Sequence, residues 1–215
     1  MTNNNSETFR FTCTRCGECC TDSNTIVNLT YFDIIRIKEG LKLNDDELIR
    51  ILGFYVYDKE PSEEDVKKMV ISPIKTEKGF AYMALLKRND GSCYFYDNEK
   101  QNCRIYGLRP MFCRTFPFSF KLDFEEGPDK EPKVRLQYTK KGLEYCPGIS
   151  ESSPFINKEE WLDLGKKTFE ELNETYYINQ KWNDAIKDDR IKPSVKAFIV
   201  FLSKIRSQRK KKKKE

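Results

Sequence analysis

The sequence predicts an α+β fold in which small antiparallel strands and irregular cysteine-bearing loops pack with several helices, including C-terminal ones. Three observations support this prediction. Helix-capping patterns occur on both sides of the chain's middle, aromatic-rich segments typical of strands lie between them, and four cysteines fall within eight residues near the N-terminus. At 215 residues, the chain is long enough to bury a core without disulfide bonds.

Three helices are predicted after the N-terminal cysteines. Thr30, with an acidic residue three positions on, forms a capping-box pattern and predicts a helix over about 30–39. Asn44 begins a second pattern of the same kind, which ends before Gly53. Ser62 precedes three acidic residues and predicts a third, short helix.

The middle of the chain predicts two pairs of strands. Residues 80–87 are aromatic and aliphatic, and an Asn-Asp-Gly turn follows, so residues 92–96 are expected to return as the second strand of a hairpin. Residues 116–124 and 133–138 form the second predicted pair, joined by a polar, Pro-containing loop.

Two helices are predicted towards the C-terminus. Asn157, with Glu160 three positions on, precedes apolar residues spaced for one buried face. Pro193 lies at the start of the last helix, which carries a second apolar stripe that we expect to pack on the core.

Composition divides the chain into four predicted parts. These are a flexible N-terminus at 1–9, a cysteine-cluster domain at 10–150, a helical extension packed on it at 151–206, and a disordered basic tail at 207–215. The last twelve residues carry a net charge of +7, whereas the whole chain carries +5, so the rest of the protein is slightly acidic.

The composition also excludes several classes of protein. The chain has no histidine, which disfavours Ser-His-Asp and Cys-His catalysis. The N-terminus lacks the basic and apolar regions of a secretion signal, and the longest apolar run, at 197–202, is far too short to span a bilayer. We therefore expect a cytoplasmic location, where clustered cysteines usually bind metals or take part in redox chemistry.

The N-terminal cluster has the spacing of a metal site. Cys13, Cys16 and Cys19 repeat a C-x2-C step, and three thiolates at this spacing wrap an iron–sulfur cluster in ferredoxins, whose fourth ligand is a remote cysteine followed by proline. Cys146-Pro147 has that local form. Zinc sites more often pair two C-x2-C knuckles, and this sequence has no second one. The spacing therefore favours iron–sulfur over zinc.

Eight cysteines match two four-ligand sites, although the sequence leaves the pairing open. One arrangement joins the first three cysteines of the cluster to a remote one, and Cys20 to the other three. The predicted metal ligands are Cys13, Cys16, Cys19, Cys20, Cys93, Cys103, Cys113 and Cys146. Two alternatives stay open: single cysteines of the middle segment could be buried as small apolar side chains, and a C-x2-C pair could be a thiol–disulfide centre.

A second segment, at 103–118, carries two of these cysteines among three arginines, two prolines and a glycine. The prolines predict a turn-rich conformation that brings Cys103 and Cys113 near a common point. Arg109 and Arg114 are predicted to contact the cofactor's thiolate ligands by hydrogen bonding, and the alternative is that they are ordinary surface charges.

These motifs together resemble the YkgJ-type cysteine-cluster family. The resemblance rests on CTRCGECC, NLTYFDIIRI, GSCYFYDNEKQNCRIYGLRPMFCRTFPF and the late Cys146, and it covers about residues 10–150. It implies chelation of zinc or iron by the cysteines, and members are often labelled iron–sulfur proteins or oxidoreductases. One branch, the flagellin lysine N-methylases, contains a similar cluster domain. Residues 155–215 carry no resemblance, and the chain has no glycine-rich nucleotide motif.

The sequence thus predicts an iron–sulfur protein, with a 4Fe-4S cluster and a redox or protein-modifying activity whose substrate is open. The alternative is a zinc-stabilised interaction module whose basic tail contacts nucleic acid. The expected partner is an unidentified protein or redox partner, and the tail is expected to make non-specific contacts with nucleic acid or anionic lipid.

Overall fold

The structure, a computed structural model, describes residues 8–124 and 132–212, with side chains described as far as residue 210. Within these ranges the helices are α1 (Glu18–Thr21), α2 (Tyr31–Gly40), α3 (Asp45–Ile51), α4 (Glu63–Lys68), α5 (Met111–Thr115), α6 (Lys140–Tyr145), α7 (Lys158–Lys187) and α8 (Val195–Lys212). The strands are β1 (Leu52–Val56), β2 (Ile74–Thr76), β3 (Gly79–Leu85), β4 (Tyr96–Asp97), β5 (Asn102–Cys103), β6 (Phe118–Asp123) and β7 (Lys133–Tyr138). The α+β prediction is confirmed.

The predicted helices begin at their capping residues. Thr30, Asn44 and Ser62 each accept a hydrogen bond from the backbone N–H three residues on, and in all three the acidic side chain at that position accepts from the capping residue's own N–H. These reciprocal bonds satisfy donors that the first helical turn leaves free. Asn157 caps α7 in a similar way with its side-chain oxygen.

The strands form three antiparallel sheets. β1, β3 and β2 form one in that order, β4 pairs with β5, and β6 pairs with β7. The β6–β7 pair runs in register from Phe118 opposite Tyr138 to Asp123 opposite Lys133, as predicted. Residues 125–131, which hold most of the predicted connecting loop, lie outside the described residues.

The predicted hairpin at 80–96 differs from the structure. β3 pairs with β1 and β2, and residues 92–96 return along it with one isolated bridge between Lys87 and Cys93. The reason is that β1, which follows α3 directly and includes Gly53, takes one edge of β3. The sequence predicts the end of a helix at this glycine, whereas the chain continues there as a strand.

The main core lies between the three-stranded sheet and helices α2, α3, α7 and α8. Its fully buried side chains include Leu29, Ile34, Ile37, Leu48, Trp182, Phe198 and Ile199. A smaller cluster forms around Phe9, Phe118 and Leu136 beside β6 and β7. Phe9 belongs to the predicted flexible N-terminus, of which residues 1–7 lie outside the described residues. The four-part division of the chain stays a prediction.

Helix α7 holds the backbone around β2 with three side chains. Asn179 donates from Nδ2 to the carbonyl of Ser72 at 2.7 Å, and the Trp182 indole donates to the carbonyl of Lys75 at 2.8 Å. The N–H of Lys75 donates to the side-chain oxygen of Asn183 at 2.9 Å. These bonds attach the longest helix to one edge of the three-stranded sheet.

Helix α8 continues to Lys212 and so overlaps the start of the predicted disordered tail. Its basic side chains pair with the body: Arg206 donates two hydrogen bonds of 2.9 Å to Glu39, and Arg209 bonds to Glu174. Residues 213–215 lie outside the described residues. No helix within the described ranges is long and apolar enough to cross a membrane.

Candidate metal centre

The eight cysteines lie on six separate pieces of the chain. Cys13 and Cys16 precede α1, Cys19 and Cys20 lie within it, and the others follow in the later loops and short elements. Those later positions are the turn before β4 for Cys93, β5 for Cys103, α5 for Cys113 and the end of α6 for Cys146. All eight are free thiols.

Gly17 shapes the loop that presents the N-terminal thiols. Its backbone is left-handed, with φ at +86°, and a β-carbon there would lie 2.1 Å from the hydroxyl of Tyr96. Only glycine therefore allows this close approach without displacing the tyrosine. Close by, the N–H of Cys93 donates to the carbonyl of Cys20 at 2.8 Å, which joins α1 to the turn before β4.

A cavity of about 870 Å³ brings most of the thiols together. Its wall includes Cys13, Cys19, Cys20, Cys93, Cys103 and Cys113. The predicted convergence of Cys103 and Cys113 therefore agrees with their place on one cavity wall. Cys16 and Cys146 are not part of that wall.

Four thiols, here called the inner set, belong to the main core or pack against it: Cys20, Cys93, Cys103 and Cys113. Burial raises the pKa of the Cys93, Cys103 and Cys113 thiols. The pKa of Cys20 is also raised, chiefly because its thiol donates a hydrogen bond to Cys19. In the absence of a metal the inner set is therefore protonated at neutral pH.

The other four thiols are here called the outer set: Cys13, Cys16 and Cys19, which are exposed, and Cys146, which is half-buried and is not part of the main core. The pKa of Cys146 is raised, first by burial and then by the charges of the other three members of this set. The pKa of Cys19 is lowered to about 7, first by the hydrogen bond from Cys20 and also by the positive charge of Arg109. Cys19 thus interacts with thiols of both sets.

The donor chemistry fits a soft metal, because thiolates are the preferred ligands of zinc and of iron–sulfur clusters. Within the described residues, however, no three Cys, Asp or Glu side chains are close enough to hold one ion as they stand. Binding therefore requires the sulfurs to move together. Such movement is usual for thiolate sites, because metal binding is coupled to local folding.

The two predicted arginines occupy different surroundings. Arg109 lines the cavity and lies 3.8 Å from the ring centre of Tyr106, which Arg15 also approaches to 4.4 Å. Arg114 is not in the cavity wall; it lies 3.7 Å from Glu171, and its Nε is buried with no hydrogen-bond partner among the described residues. The proposed contact of these arginines with a cofactor's ligands stays a prediction.

Asp33 is a supporting residue that the sequence analysis did not identify. Its fully buried carboxylate accepts from Arg36 at 2.6 Å and from the N–H of Met111, the first residue of α5, at 2.9 Å. It therefore attaches the short helix that carries Cys113 to α2. The capping box of α2 explains Asp33 locally, so its contact with α5 had no separate signal in the sequence.

A polar cluster joins α6 to the segment after α1. Lys141 pairs with the carboxylate of Asp22 at 2.5 Å and donates to the Thr25 hydroxyl at 2.6 Å. The hydrogen bond from Lys141 holds the pKa of Asp22 well below its usual range. Because α6 ends beside Cys146 and α1 carries Cys19 and Cys20, this cluster ties together two thiol-bearing elements.

The cavity with its six thiols indicates a metal-binding protein. A family model named CxxCxxCC, described as a "putative zinc- or iron-chelating domain", matches residues 12–147. The match covers more than half of the chain, which therefore belongs to this family, as the resemblance of its motifs predicted.

Two relatives from Methanocaldococcus jannaschii are similar to the chain. The uncharacterized protein MJ0661 is 28% identical over 138 residues, which are 64% of this chain and 57% of that protein. The uncharacterized protein MJ0939 is 26% identical over 169 residues, 76% of this chain and 48% of that protein. The chain thus spans about half the length of these relatives. No solved structure matches it significantly.

Proposed function

We propose that the protein is an iron–sulfur protein in which the eight cysteines ligate iron, including a 4Fe-4S cluster, for a redox or protein-modifying reaction. The observation that supports this most is the cavity wall shared by six thiols from five different pieces of the chain. Packing of an apolar core does not by itself require free thiols from positions so far apart in the sequence. The cluster would supply electron transfer or Lewis acidity when bound.

The electrostatic neighbours of Cys146 and Cys20 support one pairing of the thiols, although Cys19 acts on members of both sets. Cys146 is influenced by Cys13, Cys16 and Cys19, which matches the ferredoxin-like set. Cys20 is influenced by Cys19, Cys93 and Cys103. The inner set, completed by Cys113, would then form the second site. This partition is one of the arrangements that the sequence left open.

The surrounding residues would orient and stabilise the thiolates. Asp33 holds α5 in place under Cys113, and Lys141 holds α6 near α1. Arg109 already favours the charged form of Cys19 and would offset the negative charge of bound thiolates.

Metal analysis of protein purified without oxygen tests the proposal. We expect iron with acid-labile sulfide and a visible absorption band that is partly bleached when the cluster is reduced. Stoichiometric zinc in a colourless protein would contradict the iron proposal and support a structural zinc module. Protein with neither metal, even after reconstitution with iron and sulfide or with zinc, would contradict metal binding altogether.

The ligand set is tested separately by single serine substitutions. Cys146→Ser and Cys113→Ser should each lower the metal content by about one site, because each belongs to a different proposed set. If both variants keep the parent's metal content and spectrum, the remote cysteines are not ligands.

A zinc-stabilised interaction module is the second candidate, because the matched family description names zinc as well as iron. A site of four cysteine thiolates is a usual structural arrangement for zinc, and the eight thiols would form two of them. In this case the basic end of the chain would contact nucleic acid. The pairing of Arg206 and Arg209 with acidic residues of the body leaves less free charge for that contact.

A further inference from the structure

The cavity is much larger than a thiolate site requires. Metal–sulfur bonds are about 2.3 Å long, so bound metals would occupy only the part beside the thiols. The cavity measures about 870 Å³, within the range of roughly 300 to 1,000 Å³ typical of small-molecule sites. The space beyond the sulfurs is therefore available to a second ligand.

An aromatic wall lines part of this space. Phe116 and Phe120 come from β6 and the segment before it, and Phe169 and Leu172 come from α7. All four side chains are only half-buried, although apolar side chains of this size usually bury more of their surface. Apolar surface left uncovered within a cavity is what an apolar ligand covers on binding.

The charged residues of the cavity are all positive. Arg15, Arg109, Lys140 and Lys141 line it, and no Asp or Glu does so within the part of the chain that the structure describes. Lys141 is neutralised by Asp22, and the two arginines lie against Tyr106 near the thiols. A wall of this kind favours anions, since opposite charges would meet in a partly desolvated space.

Lys140 is the cation placed for the aromatic part. It begins α6, two residues after Tyr138, which lies opposite Phe118 in the β6–β7 pair. Thr139 is held there by a hydrogen bond from its N–H to the carbonyl of Pro117. Within the described residues Lys140 makes no ion pair, so its ammonium is free for a ligand.

We infer that the cavity binds a small organic anion, whose aromatic or aliphatic body packs against Phe116, Phe120, Phe169 and Leu172 and whose acidic group pairs with Lys140. The binding site is separate from the thiols, whereas a role as substrate beside a metal would rest on the proposed function. Phe169 and Leu172 lie on α7, outside the matched residues 12–147, so half of this wall comes from the chain's C-terminal part.

Two fluorescent probes of the same shape test the inference on the full-length protein. Anilinonaphthalene sulfonate carries the anionic group, and phenylnaphthylamine has the same rings without it. We expect saturable binding of both, with the anionic probe bound more tightly. Metal content is measured in every sample, so that loss of metal and loss of probe binding are distinguished.

Leu172→Trp fills the aromatic part of the cavity. It should weaken the binding of both probes at least about tenfold, because the larger side chain excludes the ligand's apolar body. Tyr176→Trp, at an exposed position one turn further along α7, is the matched control and should leave both affinities unchanged. Circular dichroism checks that each variant is folded. Equal binding by Leu172→Trp and the parent protein would overturn the inference.

Lys140→Gln tests the charge at a position where misfolding is not expected, because the side chain is exposed. It should weaken the binding of the anionic probe about threefold, which is typical of the loss of an exposed ion pair, and leave the affinity for the neutral probe unchanged. Lys181→Gln, also exposed but outside the cavity wall, serves as its control. An unchanged ratio of the two affinities in Lys140→Gln, or no saturable binding to the parent, would show that the cavity is not an anion site.

Discussion

The inner and outer thiol sets both contribute to the cavity wall but are held by different interactions. The inner set packs on the main core, and Cys93 is only 8% exposed. In the outer set, Cys13, Cys16 and Cys19 are exposed and lie on a loop and the four-residue helix α1. Packing thus holds the segments that carry the inner set without a metal, whereas the exposed loop and α1 of the outer set depend more on a bound metal for their position.

The largest expected effect on stability comes from the loss of Asp33, which attaches the helix that carries Cys113 of the inner set. Asp33→Ala removes one of the two carboxylates that pair with Arg36, and it leaves the buried N–H of Met111 without its acceptor. We expect a loss of about 3 kcal/mol in the free energy of unfolding, measured by urea denaturation. Asp163→Ala, which breaks an exposed pair with Lys166, should change it by less than about 0.5 kcal/mol. Equal effects would mean that Asp33 has no structural role.

Removal of the metal should affect the two sets differently. After chelation, amide hydrogen exchange over residues 13–17 should accelerate about thirtyfold, because the loss of metal bonds would leave this exposed loop with few contacts. The amides around Phe198 and Ile199 in α8 should keep their protection, since both side chains are fully buried. Acceleration throughout α8 would show instead that the core also depends on the metal.

Serine substitutions separate packing from ligation. Cys93→Ser and Cys16→Ser should both lower the metal content. In metal-free protein, Cys93→Ser should still be about 1.5 kcal/mol less stable than the parent, because it introduces a hydroxyl into the core. Cys16→Ser should then match the parent in thermal melts, since its side chain is exposed. If both variants melt like the parent without metal, the packing of the inner set contributes no stability.

The basic end should have the smallest effect on stability. Deletion of residues 207–215 removes the pairs of Arg209 with Glu174 and of Lys210 with Glu39, which together contribute about 0.5 kcal/mol. Metal content should not change, while salt-sensitive binding to nucleic acid or anionic vesicles should disappear. A variant with Lys67→Gln and Lys68→Gln in α4 should keep that binding. If binding persists after the deletion, the body of the protein carries it.

Elements defined by local signals could be predicted from the sequence. The capping residues Thr30, Asn44 and Ser62 begin α2, α3 and α4 because the bonds that define these starts span only three residues. The strands β6 and β7 were also predicted, from a polar loop between two aromatic segments. The family followed from the cysteine spacing, which the match over residues 12–147 confirms.

Non-local pairings could not be predicted in the same way. β1 was missed because its apolar residues continue the pattern of α3, and only its pairing with β3 makes it a strand. The spacing of Cys113 gave no indication that its helix is held by Asp33, which is 78 residues away from Met111. The aromatic wall of the cavity was missed as well, because it joins side chains of β6 and α7.

The hydrogen bonds from α7 to β2 also protect the sheet from other chains. β2 is an edge strand, and the N–H and C=O groups of Lys75 that do not face β3 are occupied by Asn183 and Trp182. A strand edge with free backbone groups can pair with another polypeptide and begin aggregation. Here an incoming strand would first have to displace a buried tryptophan. Helix α7 therefore hinders edge-to-edge association of the sheet. Trp182→Phe would weaken this protection, because it frees the carbonyl of Lys75.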